Sequence, residues 1–140
     1  LATSMASAYE NNEPWFGYYW APTALLGKYN MVSVDLGAYD ADIHAANQNA
    51  GNPNPATSSF PAAPVLTSVT TDFAEREPEV AEMLSKMTFD VATMSSVIAW
   101  MDETTSSPEE GAVYFLANNS DAWAGWLNDA AREKLAAIIK

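Results

Sequence analysis

The stretch Asn11–Tyr29, NNEPWFGYYWAPTALLGKY, concentrates the side chains that could do chemistry. It holds two of the five Trp, three of the six Tyr and one Phe. Ring faces carry negative electrostatic potential. Several together attract a cation that cannot donate ordinary hydrogen bonds, above all a quaternary ammonium. The same rings could equally be core packing, because aromatic side chains dominate cores. Burial separates the two readings: a cage ring stays open in a concave site, and a core ring does not.

Other clusters are weaker. Asp40, Asp42 and His44 alternate, and oxygen ligands at such spacing could hold Ca²⁺. The Gly and terminal Glu of an EF-hand loop are missing, and Asp also serves as an ordinary turn former. His44 is the only His, so no multi-His metal site can be built from this chain alone. A Ser-His-Asp triad would have to use His44, with no matching nucleophile motif nearby. The pair Glu109-Glu110 is explained by a helix start. No Gly-rich phosphate loop, G-x-S-x-G or H-E-x-x-H occurs.

The elements that must position these residues follow from pattern. Thr3 to Asn11 reads as the end of a helix, capped by Ser4 and stopped by Asn11-Asn12. Pro14 to Trp20 reads as a strand. Alternation puts Phe16, Tyr18 and Trp20 on one face, and Trp15, Gly17 and Tyr19 on the other. Pro22 suits the first turn of a helix to about Tyr29. Trp20 then falls where a strand ends and a helix begins, the place where open α/β sheets keep ligand crevices. Met31 to Leu36 and Pro64 to Thr71 read as further strands.

Between those two, residues 38–63 hold Pro53, Pro55 and Pro61 and many Asn, Ser and Ala, and read as a long irregular loop. Helices follow from Pro78 to about Met87 and from Asp90 to about Met101. Ser107-Pro108-Glu109-Glu110 is a capping box that opens a helix to about Ala117. A last helix, capped by Ser120 or Asp121, carries Trp123, Trp126, Leu127, Ala130, Ala131, Leu135 and Ile138 as one apolar stripe. That regular spacing predicts packing, not ligand binding, for Trp123 and Trp126.

A chain of 140 residues is long enough for one domain with a real core. Hydrophobic residues make up 49%, which excludes a disordered acidic tail. The formal charge of −12 repels phosphate backbones, so nucleic acid is not expected as a partner. An acidic surface serves solubility first, and it also favours approach of a small cation. With no Cys, disulfides and thiolate chemistry are out of play.

Glu13-Pro14-Trp15, Gly17-Tyr18-Tyr19-Trp20-Ala21-Pro22-Thr23 and Leu26-Gly27-Lys28-Tyr29-Asn30-Met31 together resemble the glycine betaine/choline class of substrate-binding proteins. The downstream order is similar too: a strand near Pro64–Thr70, an acidic helix with Glu77-Pro78-Glu79, and a run ending in Trp123-Ala124-Gly125-Trp126-Leu127. The resemblance is weak from Ala38 to Ala63.

It implies an extracytoplasmic receptor of an ABC importer for compatible solutes, with a permease as partner, no cofactor and no catalysis. The implied ligand is choline, glycine betaine, proline betaine or trimethylamine N-oxide. The implied fold is α/β, one lobe of a two-lobed periplasmic-binding-protein-like (type II) fold with a helix-rich C-terminal half. Residues 1–13 would be the end of a helix from the other lobe and its crossover, and residues 14–140 most of one lobe. In that family the Trp of a W-x-P motif is one wall of an aromatic cage, a role that falls on Trp20, with Tyr18 as a second candidate wall. Some betaine-binding members carry His directly after the Pro. Here the residue is Thr23, which leaves choline and trimethylamine N-oxide open beside the betaines. The chain opens on Leu1 without a signal peptide, and family members are about twice as long. The resemblance therefore implies a C-terminal portion whose other cage walls lie in a missing N-terminal half.

Two further readings come from other classes. One is a structural or protein-interaction domain with Tyr18 and Trp20 buried. The other is an enzyme built around His44.

Overall fold

Side-chain caps start most of the helices in the computed structural model, which describes residues 1–139. The order is α1 (Ala2–Glu10), α2 (Ala24–Lys28), α3 (Ala41–Asn47), α4 (Thr71–Arg76), α5 (Pro78–Lys86), α6 (Val91–Thr104), α7 (Pro108–Asn118), α8 (Ser120–Ala124) and α9 (Asp129–Ile138). Thr23, Asp40, Thr70, Asp90, Ser107 and Asn128 each accept a backbone N–H that the following helix leaves without an internal partner. The predicted box at α7 forms in full. Ser107 Oγ accepts from Glu110 N at 3.2 Å, and Glu110 Oε2 accepts from Ser107 N at 2.8 Å. Ser107→Ala should cost about 1 kcal/mol, read as a lower denaturant midpoint at unchanged slope.

Two compact units result. One is Leu1–Met31 together with the chain from Ser68 onward, and the other is Val32–Thr67. In the first, α6 is the central helix. Its Val97 joins Phe115 of α7 and Trp123 of α8 in a buried cluster, with Met94, Met101, Leu116 and Trp126 packed around it. The face of α6 at Ser95, Ala99 and Asp102 meets α2 instead. These two sets are separated by the helical repeat, so one helix serves the core and α2 at once.

Trp123 is 4% exposed and its indole N–H donates to the Leu116 carbonyl at 2.7 Å. Trp126 stacks on Phe115 with ring centroids 6.0 Å apart and meets Phe89 edge-on at 5.2 Å. Both Trp residues therefore pack, as their spacing predicts.

The second unit is a loop that closes on itself around α3. Asp35 Oδ1 accepts from Gly37 N at 2.8 Å, and Gly37 has φ 82°. That left-handed backbone suits Gly because a Cβ would be strained there. The Ser59 N–H donates to the Ala38 carbonyl at 3.3 Å, and the Asn47 amide donates to the Ala56 carbonyl at 2.8 Å.

The structure corrects several expectations. None of the strands expected at 14–20, 31–36 and 64–71 forms among the described residues, so the α/β pattern is absent from them. β-Branched and aromatic composition describes fit to a pleated surface, but a strand exists only when a neighbour accepts and donates its backbone hydrogen bonds. Val65 is 101% exposed and meets no such neighbour. The irregular loop 38–63 contains α3, because Asp40 is a helix cap and not only a turn former.

The last helix is two. The expected stripe does not hold to its end, since Trp126, Leu127 and Leu135 pack on the core but Ile138 is 79% exposed, and Asn128 Oδ1 caps a new start by accepting from Ala131 N at 2.9 Å. Arg132 holds the corner by donating to the carbonyls of Ala124 at 2.9 Å and Leu127 at 3.1 Å. Neither Ser120 nor Asp121 caps α8, for both lie inside it behind Asn119, which makes no side-chain cap bond, and Ser4 does not cap α1. It lies inside that helix, whose N-cap is Leu1. Pro22 precedes α2, with a cis Ala21–Pro22 bond, and Thr23 is the cap.

Candidate functional site

The aromatic stretch is tied down at both ends and open in the middle. At its start, the Trp15 indole N–H donates to Ser4 Oγ of α1 at 3.2 Å. The Trp15 ring folds back over Gly17, where a Cβ would lie 2.8 Å from it. At its end, the Tyr29 hydroxyl donates to Glu10 Oε1 at 2.7 Å, and the Tyr29 ring lies 4.7 Å from that of Tyr9. That charged hydrogen bond raises the Tyr29 pKa, because losing the proton would set phenolate against carboxylate.

Between these ties, the alternation expected of a strand survives without a ladder. Phe16, Tyr18 and Trp20 are exposed, and Trp15 and Tyr19 are half-buried. Trp20 is 64% exposed and Tyr18 45%. Their rings meet edge to face, with centroids 6.0 Å apart and planes at 78°. Two rings at that angle form an exposed corner.

Thr23 stands three residues after Trp20 at the start of α2. Its Oγ1 accepts from Leu26 N at 3.4 Å, so the hydroxyl hydrogen remains available to donate elsewhere. The Thr23 N–H makes a long hydrogen bond of 3.4 Å to Ser95 Oγ on α6. Ser95 is 3% exposed. Lys28 closes the other end of α2 with an ion pair to Asp102 at 2.6 Å. That bond raises the Lys28 pKa, since Asp102 favours the charged ammonium.

Sequence reasoning did not find Ser4, Glu10 or Ser95 as supports. Ser95 is 72 positions from the group it holds, and nothing in local pattern signals such a pairing.

The other candidates are accounted for locally. Asp40 Oδ1 accepts from the backbone N–H of Asp42 at 3.0 Å and Ile43 at 2.9 Å, so it is the α3 cap. Among the described residues, no group of three or more His, Asp or Glu side chains is placed to hold a metal ion. The His44 ring is bracketed by Tyr39 at 5.6 Å and Phe60 at 5.7 Å, and Gln48 Nε2 lies 3.3 Å from its Nε2.

A groove of about 410 Å³ runs between α5 and the Trp126–Asn128 corner, lined by Val80, Met83 and Trp126 among others; Tyr18, Trp20 and Thr23 do not line it. No described helix is long and apolar enough to cross a membrane.

One titration bears on the helix that carries Ser95. Asp90, the α6 cap, has a lowered pKa because its carboxylate accepts the Thr93 N–H at 2.8 Å. A lowered folded-state pKa means stability that is present above the unfolded value and lost as pH falls through the folded one. Asp90→Asn keeps a capping oxygen but cannot titrate. Its stability should therefore fall less steeply than wild type below about pH 4, measured by denaturant unfolding across that range.

No curated protein matches the chain closely enough to report. Residues 1–118 match the family described as the substrate binding domain of ABC-type glycine betaine transport system. The match takes in α1, the whole aromatic stretch and α2, and runs through α7. It stops short of Trp123–Leu127, so the likeness drawn from that run lies outside it. With most of its length inside the match, the chain belongs to the family of substrate-binding domains of ABC-type glycine betaine transport systems.

Proposed function

We propose that this chain is part of an extracytoplasmic receptor that binds a quaternary or methylated amine and delivers it to the permease of an ABC importer. One observation carries the reading. Within the family-matching region, Trp20 and Tyr18 hold their rings exposed and edge to face at 6.0 Å. Burial of both rings would have favoured a structural or interaction domain. The cation sits against the Trp20 face, where the ring quadrupole attracts it, with Tyr18 as the adjoining wall. Thr23 donates its hydroxyl to an acceptor on the ligand, such as the carboxylate of a betaine or the oxygen of choline or trimethylamine N-oxide. The protein binds and does not transform its ligand.

Two rings do not enclose a methylated ammonium. The remaining walls come from another part of the receptor, and two lobes close over the ligand by a hinge. The same assembly completes an α/β lobe of the type II periplasmic-binding fold. The exposed, β-branched segments 31–36 and 64–70 pair there with strands of the rest of the receptor. Val32 at 86% and Leu66 at 76% exposure are then the side chains that this pairing covers.

The test is a tryptophan-fluorescence titration of the receptor with choline, glycine betaine, proline betaine and trimethylamine N-oxide. A saturable change with at least one of them is the expected result, and the dissociation constants rank the ligands. A folded full-length receptor that responds to none of the four overturns the reading.

A further inference from the structure

We propose that α6 is the positioning surface of the aromatic site, acting through a close contact at Gly27. The inference rests on the amine-binding reading above. Three points fix α2 along one face of α6. Thr23 N–H meets Ser95 Oγ at 3.4 Å, Gly27 lies against Ser95 and Ala99, and Lys28 pairs with Asp102 at 2.6 Å. Ser95, Ala99 and Asp102 follow one another at helical spacing, so they form a single rail.

The middle point has no slack. A Cβ at Gly27 would overlap the Ser95 carbonyl oxygen and lie 2.7 Å from the Ala99 Cβ. Carbon atoms pack at about 3.5–4.0 Å, so α2 would have to back away by about 1 Å. Both obstacles belong to the helix itself rather than to the far end of a flexible side chain, so they cannot swing aside.

Trp20 is three residues before Thr23, the residue that opens α2 and touches Ser95. Its ring is 64% exposed and has little packing of its own to hold it. The place of that ring is therefore set by where α2 rests. The opposite face of α6, at Val97, belongs to the core and does not enter this contact.

The experiment measures the dissociation constants of choline, glycine betaine, proline betaine and trimethylamine N-oxide for the full-length receptor, well below its melting temperature. Wild type, Gly27→Ala, Ser95→Ala and Val97→Ala are compared. Constants read on folded protein do not respond to a loss of stability alone. Val97→Ala removes core volume from the same helix and should melt lower while binding as wild type does. Gly27→Ala should weaken every ligand that wild type binds by about tenfold or more, because a site displaced by an ångström loses its geometry. Ser95→Ala, the milder change, should weaken binding by about threefold and decides the matter if Gly27→Ala does not fold.

A wild type that binds, with Gly27→Ala and Ser95→Ala binding as wild type does, overturns the positioning role and leaves the amine reading standing. Equal weakening in Val97→Ala overturns it too, since the effect would then follow stability. A wild type that binds none of the four brings down the amine reading, and this inference with it.

Discussion

Trp20→Ala should weaken binding of a trimethylammonium ligand by about 30-fold, the equivalent of about 2 kcal/mol for a desolvated cation–π contact. The loss should be accompanied by almost no change in stability. Trp20 is 64% exposed, and substitutions at such positions typically stay within about 0.5 kcal/mol. The combination is diagnostic, because a core Trp would show the reverse. Trp20→Phe should recover part of the affinity, since Phe keeps a ring face with a weaker quadrupole. Titration and thermal melting of the three proteins check both halves. A Trp20→Ala protein that binds like wild type would remove Trp20 from the site. One that melts far lower would return the ring to the core.

Trp123→Ala is the opposite case and should cost about 3–5 kcal/mol of stability. The ring is 4% exposed, between α6 and α7, and packs with Val97 and Phe115. Its indole N–H satisfies the Leu116 carbonyl at 2.7 Å, near the end of α7 where carbonyls lack partners within the helix. Truncation therefore opens a cavity and orphans an acceptor together. Much of a small domain's whole stability is of that size, so partial unfolding at room temperature is the expected observation. Trp123→Phe should cost less, as it refills most of the volume and loses only the hydrogen bond. Denaturant unfolding of both variants measures the difference.

The two Trp residues show how far pattern alone reaches. Trp123 and Trp126 lie at helical spacing among Leu and Ala, and that predicts packing correctly, with Trp123 buried and Trp126 half-buried against it. Trp20 lies next to Pro22 in a stretch with no helical period, and its exposure was open until the fold was known. Of the helix caps, the box at Ser107 was legible because it is local. Ser107 and Glu110 need only each other and the two residues that link them.

Ser4 and Asp40 mark the limit of local reading. Each has a side-chain oxygen suited to more than one task. Ser4 was expected as a cap and instead accepts the Trp15 indole N–H. Asp40 was expected as a turn former or metal ligand and instead caps α3.

The strands failed for a different reason. Met31–Leu36 and Pro64–Thr71 have strand composition, but a ladder is a relation between two segments, and neither finds its partner among residues 1–139. The single last helix failed because the stripe from Trp123 to Ile138 keeps its period across a break. A periodic apolar face does not record that Asn128 starts the helix again, and Ile138 at the end of the stripe is 79% exposed.

By itself the sequence determined the helical segments from Pro78 to Asn118, the capping box at Ser107, the packing role of Trp123, and the likeness that the family match over residues 1–118 bears out. Each of these depends on neighbours within a few residues or on motif order along the chain. Only the tertiary structure decided that the rings of Tyr18 and Trp20 stay open, that Trp15 and Tyr29 are tethered to α1, and that α2 rests on Ser95 and Ala99. Those outcomes turn on contacts between residues as many as 74 positions apart. No local propensity encodes such a distance. It is set when the faces of α6 divide between the core and α2, and the aromatic stretch takes the position that remains.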